Sequence, residues 1–492
     1  MFKRNVIANY LGQGYIAAVG ILIVPFYLEQ LGTEGYGLVG IFTMLQAWLQ
    51  LLDIGISTTL AREAAKSKIN TVNALFFKKL KFVVVSIFFT VGLILFLISV
   101  WAKNYIIENW LSTSLSGDTV TISLLAIMFS VTLRWCSAPW RSAIVGLEKQ
   151  VILNITQVTI TTLRFPCSLI VMSFSEEKIT TFFKYQALIA VLELVTYFAL
   201  ANIYSPKATG SILPDRNFLT NAKSTFKFAL AIGFTSSVWV VVTQLDKLIL
   251  SSLISLQEYG YYSVAVIAAS GISMLSMPVA QAITPRLTNF FEQGDLVKLK
   301  EQYANTTKLV AAIVAPASII LGVFAEEVLF IWTRDHEVVN GASNILRWYA
   351  WGNGLLALAA FPYYLQYAYG KLRLHVIGNV IFAIFLFPTI YLVTKSYGAE
   401  GAAKVWFVQN LFFFLCWTWV IHNKFLKNYH LNWLISNILP FTVGPVLVAI
   451  FSKLCLGEHS LFFTIAMIAI VSMISLSINL FIYNRPSRLW KK

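Results

Sequence analysis

Long apolar runs recur along almost the whole of this 492-residue chain, and they constrain its fold more than any other feature. A hydrophobic stretch of about 20 residues matches the hydrocarbon core of a bilayer as one α-helix. Because backbone polar groups in lipid need partners within the protein, such a chain folds as a bundle of helices. The runs are centred near Val19, Trp48, Thr90, Leu133, Leu163, Ala190, Val240, Ala269, Ile320, Leu356, Ile384, Leu411, Val446 and Met473.

The composition supports this interpretation. Hydrophobic residues make up 58% of the chain and charged residues 12%, with a mean hydropathy of +0.72. Soluble domains carry about 25% charged residues. We therefore predict an all-α polytopic membrane protein of about fourteen transmembrane helices. No polar stretch is long enough to form a separate soluble domain.

The basic residues of the connecting links predict the orientation. Most of the 37 lysine and arginine residues lie on one side of the membrane if Met1 is cytoplasmic, as the positive-inside rule requires. Both termini are then cytoplasmic. The net charge of +15 belongs to these links and does not indicate a nucleic-acid surface. The basic residues at the end of the chain are Arg485, Arg488, Lys491 and Lys492.

The first twelve spans resemble two copies of six. Between the first and second spans we predict a turn at Gly35-Tyr36-Gly37, which corresponds to Gly260-Tyr261-Tyr262 between the seventh and eighth. Parallel repeats of this kind build transporters with two lobes around a central cavity. We expect an N-terminal lobe over 1–205, a C-terminal lobe over 206–428, and two additional helices over 429–492.

Charged residues deep inside apolar spans are the strongest functional signal. Arg134 and Arg164 each lie about a dozen residues from the ends of a span, where arginine costs about 2.5–3.5 kcal/mol on insertion scales. Such residues commonly mark a substrate or ion path. We predict that they bind an anion in a cavity, with Lys247 and Arg347 as further candidates. Arg347 could instead extend to the membrane surface.

Polar side chains accompany Arg164 at steps of three and four residues, which places them on one helix face. We predict that Asn154, Gln157 and Thr161 line the cavity beside it. The alternative is that these side chains only hydrogen-bond between helices.

Three acids in the spans, Asp53, Glu193 and Asp246, are candidates for binding a coupled H⁺ or Na⁺ or for pairing with the arginines. The sequence leaves open whether the buried charges bind substrate or neutralise each other.

Signals for catalysis are absent from the sequence. The five histidines are scattered near the ends of spans, and no phosphate-binding loop, nucleophile elbow or metal-ligand cluster is found. We expect no enzyme activity, no metal site, and no cofactor apart from the coupled ion.

Several motifs are similar to one known family. They are Leu31-Gly-Thr-Glu-Gly-Tyr-Gly37, Leu52-Asp-Ile-Gly-Ile-Ser57, Leu245-Asp-Lys-Leu-Ile-Leu250 and Pro278-Val-Ala-Gln-Ala-Ile-Thr-Pro285. The chain resembles the polysaccharide transporter family, the O-antigen (Wzx-type) flippases of the multidrug/oligosaccharidyl-lipid/polysaccharide exporter superfamily. Many members have twelve spans, so the last two helices would be an addition.

The resemblance implies a function and a place in the cell. It implies a flippase of the bacterial inner membrane that moves an undecaprenyl-diphosphate-linked oligosaccharide to the periplasmic leaflet by alternating access. Its partners would be this lipid-linked substrate, membrane lipid and other glycan assembly proteins. A multidrug or organic-cation antiporter is the alternative, but it would favour an acidic cavity. A membrane-embedded glycan polymerase or ligase would need a larger external loop.

Overall fold

The computed structural model describes residues 2–53, 55–207, 210–455 and 460–484, and their backbone is helical almost throughout. Within these ranges the extended pairing is a single bridge between Ser112 and Ser255. The predicted all-α class is confirmed. Arg485, Arg488, Lys491, Lys492 and His459 lie outside the described residues.

The chain divides into two compact units, Met1–Gly260 and Tyr261–Lys492. Residues 206–260 therefore group with the first unit by their contacts, whereas the repeat places 206–428 in the C-terminal lobe. The division into lobes stays a prediction from the repeat.

The first unit contains nine helices and the start of a tenth among its described residues. A 3₁₀ turn over Gln50–Asp53 follows the second. The helices are α1 Phe2–Leu22, α2 Val24–Leu49, α3 Ile56–Lys66, α4 Thr71–Asn109, α5 Gly117–Gly146, α6 Gln150–Arg164, α7 Pro166–Ser173, α8 Lys178–Tyr204, α9 Arg216–Leu253 and α10 Leu256–Glu292.

The second unit contains the rest of α10 and nine further helices. A π-helical turn over Phe413–Trp417 joins two of them. The helices are α11 Leu296–Val323, α12 Ala325–Thr333, α13 His336–Ala359, α14 Phe361–Ala368, α15 Arg373–Phe412, α16 Thr418–Phe425, α17 His430–Asn437, α18 Leu439–Cys455 and α19 Leu461–Asn484.

Nine helices of the described chain are long and apolar enough to cross a membrane, or ten if the bent pair α17 and α18 counts as one span. The number fourteen stays a prediction, as does the side on which the termini lie. Both turns predicted from the repeat are wrong, since Gly260-Tyr261-Tyr262 lies within helix α10. Gly35-Tyr36-Gly37 is helical, and the backbone breaks earlier in α2, at Gly32, with φ 69° and ψ 176°. A positive φ suits glycine because it has no Cβ, and the sequence offered several glycines here.

The core of the first unit forms where α5 packs against α3, α4 and α8. Phe88 of α4 stacks on Trp135 of α5 with ring centres 4.3 Å apart. Trp140 meets Phe198 of α8 edge-on at 5.5 Å. Because these contacts fix α5, Arg134 in the same helix is held inside the unit, with 6% of its surface exposed.

Asp215 fixes the start of α9. Its carboxylate accepts a hydrogen bond from the Phe218 N–H at 2.8 Å and one from Lys79 Nζ of α4 at 2.6 Å. The Lys79 ammonium and then the Phe218 N–H hold the pKa of this carboxyl below its usual value. The cap therefore ties α9 to α4 within the first unit.

In the second unit, Asn479 of α19 joins three helices. Pro316 and Pro445 each lack an N–H, which leaves the carbonyl four residues earlier without its helical partner. Those carbonyls are Ala312 of α11 and Phe441 of α18. The Asn479 Nδ2 donates to both, at 3.1 and 3.0 Å. One amide therefore satisfies two broken helical positions and docks the last two helices on α11.

Replacing Asn479 with leucine should destabilise the protein by about 1–3 kcal/mol, because two buried carbonyls lose their donor. The thermal unfolding midpoint of the purified protein in detergent measures the effect. Asn484 is exposed at the end of the same helix, so Asn484→Leu serves as the control and should leave the midpoint unchanged. Equal midpoints for both variants would contradict the docking role of Asn479.

Candidate functional site

The span that carries Arg164 is broken at that residue. Helix α6 ends at Arg164, and Pro166 begins α7. Between them Phe165 has φ −102° and ψ −72°. A break at membrane depth requires new partners for the carbonyls that it frees. The sequence predicted one continuous polar face here, and the structure divides it.

Polar side chains of α8 and of α7 itself donate hydrogen bonds to the carbonyls at the break. Tyr185 of α8 donates to the Leu163 carbonyl at 2.9 Å, and Gln186 Nε2 donates to the Arg164 carbonyl at 2.7 Å. The Ser168 hydroxyl donates to the Phe165 carbonyl at 2.7 Å. These hydrogen bonds stabilise the break and hold the Arg164 backbone against α8.

Tyr27 of α2 supports the same break from the other side. Its hydroxyl lies 2.8 Å from Ser168 Oγ. Since Ser168 donates to the Phe165 carbonyl, the tyrosine is the donor to the serine. The same hydroxyl lies 3.3 Å from the Phe165 carbonyl oxygen and 3.4 Å from that of Arg164. The Tyr27 ring is buried, which locks α2 onto the broken span.

Arg134 reaches the same place from α5. Its Nη2 donates to Gln186 Oε1 at 3.0 Å. Gln186 therefore connects the two arginines, because its oxygen accepts from one guanidinium and its nitrogen donates to the backbone of the other. Gln186 is 1% exposed. An amide at this position suits the task, since it carries both a donor and an acceptor.

Glu193 of α8 is the ion partner of Arg134. Its Oε2 lies 3.3 Å from Arg134 Nε, and both side chains are nearly buried. At this distance the two groups form an ion pair and not a well-aligned hydrogen bond. Arg134 Nε and Nη1 and the Glu193 Oε2 consequently have no hydrogen-bond partner among the described residues. Nη1 of Arg134 therefore has no acceptor among the described residues, and Nε has only the nearby Glu193 carboxylate.

Arg164 has no carboxylate partner. Among the described residues, no Asp or Glu oxygen lies within 4.0 Å of its guanidinium, and its buried Nε has no hydrogen-bond partner. Its guanidinium carbon lies 5.1 Å from the centre of the Phe165 ring and 6.0 Å from that of Phe42. The Arg134 guanidinium lies 5.0 Å from the same Phe42 ring. The predicted pair of arginines is therefore brought together around one aromatic ring.

The charges of this cluster do not balance. Two guanidiniums, which stay protonated in proteins, share one carboxylate, that of Glu193. Aromatic faces favour a nearby cation but do not neutralise it. An excess positive charge with free donors inside a membrane protein is suited to a phosphate or carboxylate, which arginine binds through two parallel hydrogen bonds.

The polar residues that accompany Arg164 have different surroundings. Asn154 is buried and donates to Asn9 of α1 and to the Gln150 carbonyl, so it joins two helices. Thr161 is buried and Gln157 is half-buried on the same face of α6. For Asn154 the contacts match the interhelical alternative, and a cavity role for the other two stays a prediction.

Asp53 lies at the end of the 3₁₀ turn that precedes α3. Its Oδ1 accepts a hydrogen bond from the Ser57 N–H at 2.8 Å, which satisfies the start of that helix. Gly55, with φ +70°, turns the chain between them. No basic group of the described residues pairs with Asp53 within 4.0 Å. Its predicted role in ion binding is untested by this geometry.

The other predicted charges have local partners. In α9, Lys247 Nζ lies 3.4 Å from Asp246 Oδ1 and donates to the Thr243 carbonyl at 2.7 Å. In α13, Arg347 pairs with Glu326 of α12 at 3.2 Å. It also donates to the Asn344 side chain at 2.9 Å. Lys247 and Arg347 therefore have acceptors of their own, and their predicted role in anion binding stays a prediction.

Tyr27, Phe42 and Tyr185 of the site were missed by sequence reasoning. Tyr27 and Phe42 both lie in an apolar helix, where an aromatic side chain is ordinarily a packing residue. Nothing in their spacing marks Tyr27 as a cap or Phe42 as the ring between two guanidiniums. Gln186 was recognisable, because it shares a helical face with Glu193.

The chain matches known families and structures. Residues 2–291 match the family described as polysaccharide biosynthesis protein, and residues 231–392 match the MatE family. A candidate O-antigen transporter of Shigella flexneri is 22% identical over 423 residues, which cover 85% of this chain and 97% of that protein.

Two solved structures show the same fold. Lipid II flippase MurJ, in an inward closed conformation, has a TM-score of 0.73 at 12% identity, over 97% of this chain and 98% of that one. An inward-facing multidrug resistance MATE family transporter of the MOP superfamily has a TM-score of 0.65 at 13% identity, over 84% and 96%. The family match covers more than half of the 492 residues and confirms the family expected from the motifs: the chain belongs to the polysaccharide biosynthesis protein family.

Proposed function

We propose that this protein is a flippase for an undecaprenyl-diphosphate-linked oligosaccharide, such as an O-antigen repeat unit. It would carry this substrate from the cytoplasmic to the periplasmic leaflet of the bacterial inner membrane by alternating access. Membership of the polysaccharide biosynthesis protein family supports the substrate class. The name of the Shigella flexneri relative agrees with it.

The observation that carries the proposal is the excess positive charge at Arg164, a partly buried side chain with no carboxylate within 4.0 Å among the described residues. A purely structural arginine at this depth would be expected to pair with a carboxylate, because an unpaired buried charge costs several kcal/mol. The described residues offer Arg164 none. A charge retained without a partner is suited to a ligand that brings the opposite charge. The diphosphate of a lipid-linked glycan, or an acidic sugar, supplies it.

The geometry suggests how binding would proceed. An incoming phosphate could use the free donors of Arg134 and Arg164 together, because both guanidiniums face the Phe42 ring. Glu193 would then be displaced from Arg134, to which it makes no hydrogen bond at rest. A carboxylate released in this way could take up a proton. We retain Asp53, Glu193 and Asp246 as candidates for coupling to H⁺ or Na⁺.

The organic-cation antiporter is less well supported. A binding site for a lipophilic cation would need excess negative charge. The arginine cluster has two cations and one acid. The resemblance to the MATE transporter is one of fold and does not reverse this charge.

Replacing Arg164 with glutamine should reduce transport about 10- to 100-fold, since a charge-assisted hydrogen bond contributes about 1.5–3 kcal/mol. The measurement is surface glycan in a strain that lacks its own flippase, at equal abundance of each variant in the membrane. Arg164→Lys keeps the charge and should retain part of the activity.

Arg347→Gln is the matched control, because Arg347 is also an arginine of a predicted span but is already paired with Glu326. It should leave surface glycan near the wild-type amount. If Arg164→Gln transports as well as Arg347→Gln, the anion-binding role of the cluster is wrong.

A further inference from the structure

A second buried polar cluster lies in the second unit, and it takes no part in the proposed binding of an anion by Arg134 and Arg164. Tyr303 of α11, His422 of α16 and His430 of α17 form a chain of hydrogen bonds. Tyr303 Oη lies 2.7 Å from His422 Nε2, and His422 Nδ1 lies 3.0 Å from His430 Nδ1. Tyr303 and His422 are fully buried, and His430 is 6% exposed. These histidines are eight residues apart in sequence, which is why their spacing suggested no site.

The protonation states of this chain are limited by its geometry. Two ring nitrogens at hydrogen-bond distance share one proton, so one histidine donates and the other accepts. His422 uses both of its nitrogens. When it is neutral, it donates to His430 and accepts from the Tyr303 hydroxyl, or the reverse. In either arrangement, every ring nitrogen at these contacts has a hydrogen-bond partner.

One additional proton fits the same chain. A positively charged His422 donates from Nδ1 to His430 and from Nε2 to the Tyr303 oxygen, so each contact persists. A second proton would place two N–H groups against each other at 3.0 Å. The chain therefore has capacity for one proton and no more.

Aromatic rings surround the histidine pair. The centre of the His422 ring lies 4.9 Å from that of Trp433, 5.7 Å from that of Tyr303 and 6.0 Å from that of Tyr429. The His430 ring is stacked on Trp433 at 6.0 Å. Aromatic rings attract a nearby cation, so an imidazolium is more stable beside them than in apolar surroundings without such rings. Burial alone opposes the charge, so the rings decide whether the site can hold it.

Other titratable groups around the pair are few. From α11 they are Tyr303 and Lys300, whose ammonium lies 4.8 Å from the Tyr429 ring centre. Tyr429 precedes α17 and accepts a hydrogen bond from Asn437. Tyr369, after α14, packs on Phe425 at the end of α16. Among the described residues, no carboxylate pairs with either histidine within 4.0 Å. An added proton would be held by the two imidazoles themselves.

The preceding backbone is unusual as well. The π-helical turn Phe413–Trp417 leads directly into α16, and the Leu415 backbone in this turn interacts with His430. A π-helical turn is an irregular segment that often occurs at functional sites. A change in the charge of the pair would thus act on an irregular turn between two helices.

We propose that His422 and His430 together form a binding site for a single proton, and that this proton is the coupling ion of transport. The assignment of this proton as the coupling ion rests on the proposed flippase function. The site differs from the acids Asp53, Glu193 and Asp246, since it lies in the second unit and contains no carboxylate.

The direct test is ¹⁵N solid-state NMR of the histidine-labelled full chain in lipid, from about pH 7.5 to about pH 5, where histidine ordinarily titrates. We expect a nitrogen–nitrogen coupling across the His422–His430 hydrogen bond at the upper pH and one imidazolium per pair at the lower. Both signals should be absent from His430→Gln. Tyr303→Phe keeps the ring but removes the oxygen that accepts from charged His422, so it should move proton uptake to lower pH.

His375→Gln is the matched control, because His375 contacts Asn379 and belongs to another cluster. It should preserve both signals. A pair that stays neutral down to about pH 5 would overturn the proton site.

Transport separates the two halves of the proposal. Glycan transport by His430→Gln should lose the dependence on the pH gradient that the wild type and His375→Gln retain. Proton uptake in the NMR experiment together with unchanged gradient dependence would overturn the coupling role. Proton uptake without any glycan transport by the wild type would instead reject the flippase function and leave the proton site standing.

Discussion

Replacing Glu193 with leucine is expected to destabilise the protein by about 3–5 kcal/mol. The substitution leaves the Arg134 guanidinium in a buried position without its ion partner, and removing one member of a buried pair commonly costs this much. Arg134 cannot relieve the cost by losing its proton. The thermal unfolding midpoint of the purified protein should fall markedly, and the abundance of the variant in the membrane should fall with it.

The double variant Arg134→Met/Glu193→Leu distinguishes neutralisation from substrate binding. Replacing both members of a buried pair by apolar residues is often close to neutral for stability, so the midpoint should recover most of the loss. If Arg134 binds the substrate, surface glycan should nevertheless stay low in this stable variant. Recovery of both stability and transport would mean that Arg134 and Glu193 chiefly neutralise each other.

Glu326→Leu provides the control for a surface-exposed pair. Glu326 also binds an arginine, Arg347, but its side chain is 52% exposed. Exposed pairs contribute about 0–1 kcal/mol, so the midpoint should change little. A wild-type midpoint for Glu193→Leu would show that Arg134 does not depend on this carboxylate for its burial.

The depth of a charge could be predicted from the sequence, but its partner could not. Arg134, Arg164 and Arg347 all lie in apolar spans and were given the same role. The structure separates them, since Arg347 reaches an exposed glutamate whereas Arg164 has no acid within 4.0 Å among the described residues. Partners come from helices distant in sequence, and helical periodicity does not specify which faces meet.

The helical periodicity of the sequence also failed to predict two local features of the backbone. The stripe that contains Arg164 follows helical spacing, yet Pro166 ends the helix and turns the polar face into the cap of a break. Asp53 was predicted as a charge inside a span, but its carboxylate accepts a hydrogen bond at the start of α3. Proline and aspartate were both visible, but a proline inside a span can be tolerated in a straight helix. The helix can break here because Tyr27, Tyr185 and Gln186 supply hydrogen-bond donors for the backbone carbonyls.

The glycines of the repeat motif matter for close packing of helices and not for the predicted turn. Gly37 belongs to the motif in the first copy and Gly260 to the motif in the second, and both are helical. A Cβ on Gly37 would collide with the Leu256 carbonyl oxygen, and a Cβ on Gly260 would collide with the Thr33 carbonyl oxygen. The two glycines thus let α2 and the start of α10 approach backbone to backbone, a packing that only small residues permit in membrane helices.

Replacing Gly260 with alanine is therefore expected to destabilise the first unit by more than about 3 kcal/mol, the upper range for inserting a methyl group into a packed site. The obstacle is a backbone carbonyl, which cannot rotate away as a side chain would. Gly271→Ala is the matched control, since it lies in the same helix and its Cβ would meet nothing within 4 Å. There the usual preference of helices for alanine should raise stability by about 0.5–1 kcal/mol. Unfolding midpoints in detergent should move in opposite directions for the two variants. Equal midpoints would mean that α2 and α10 do not need this close contact.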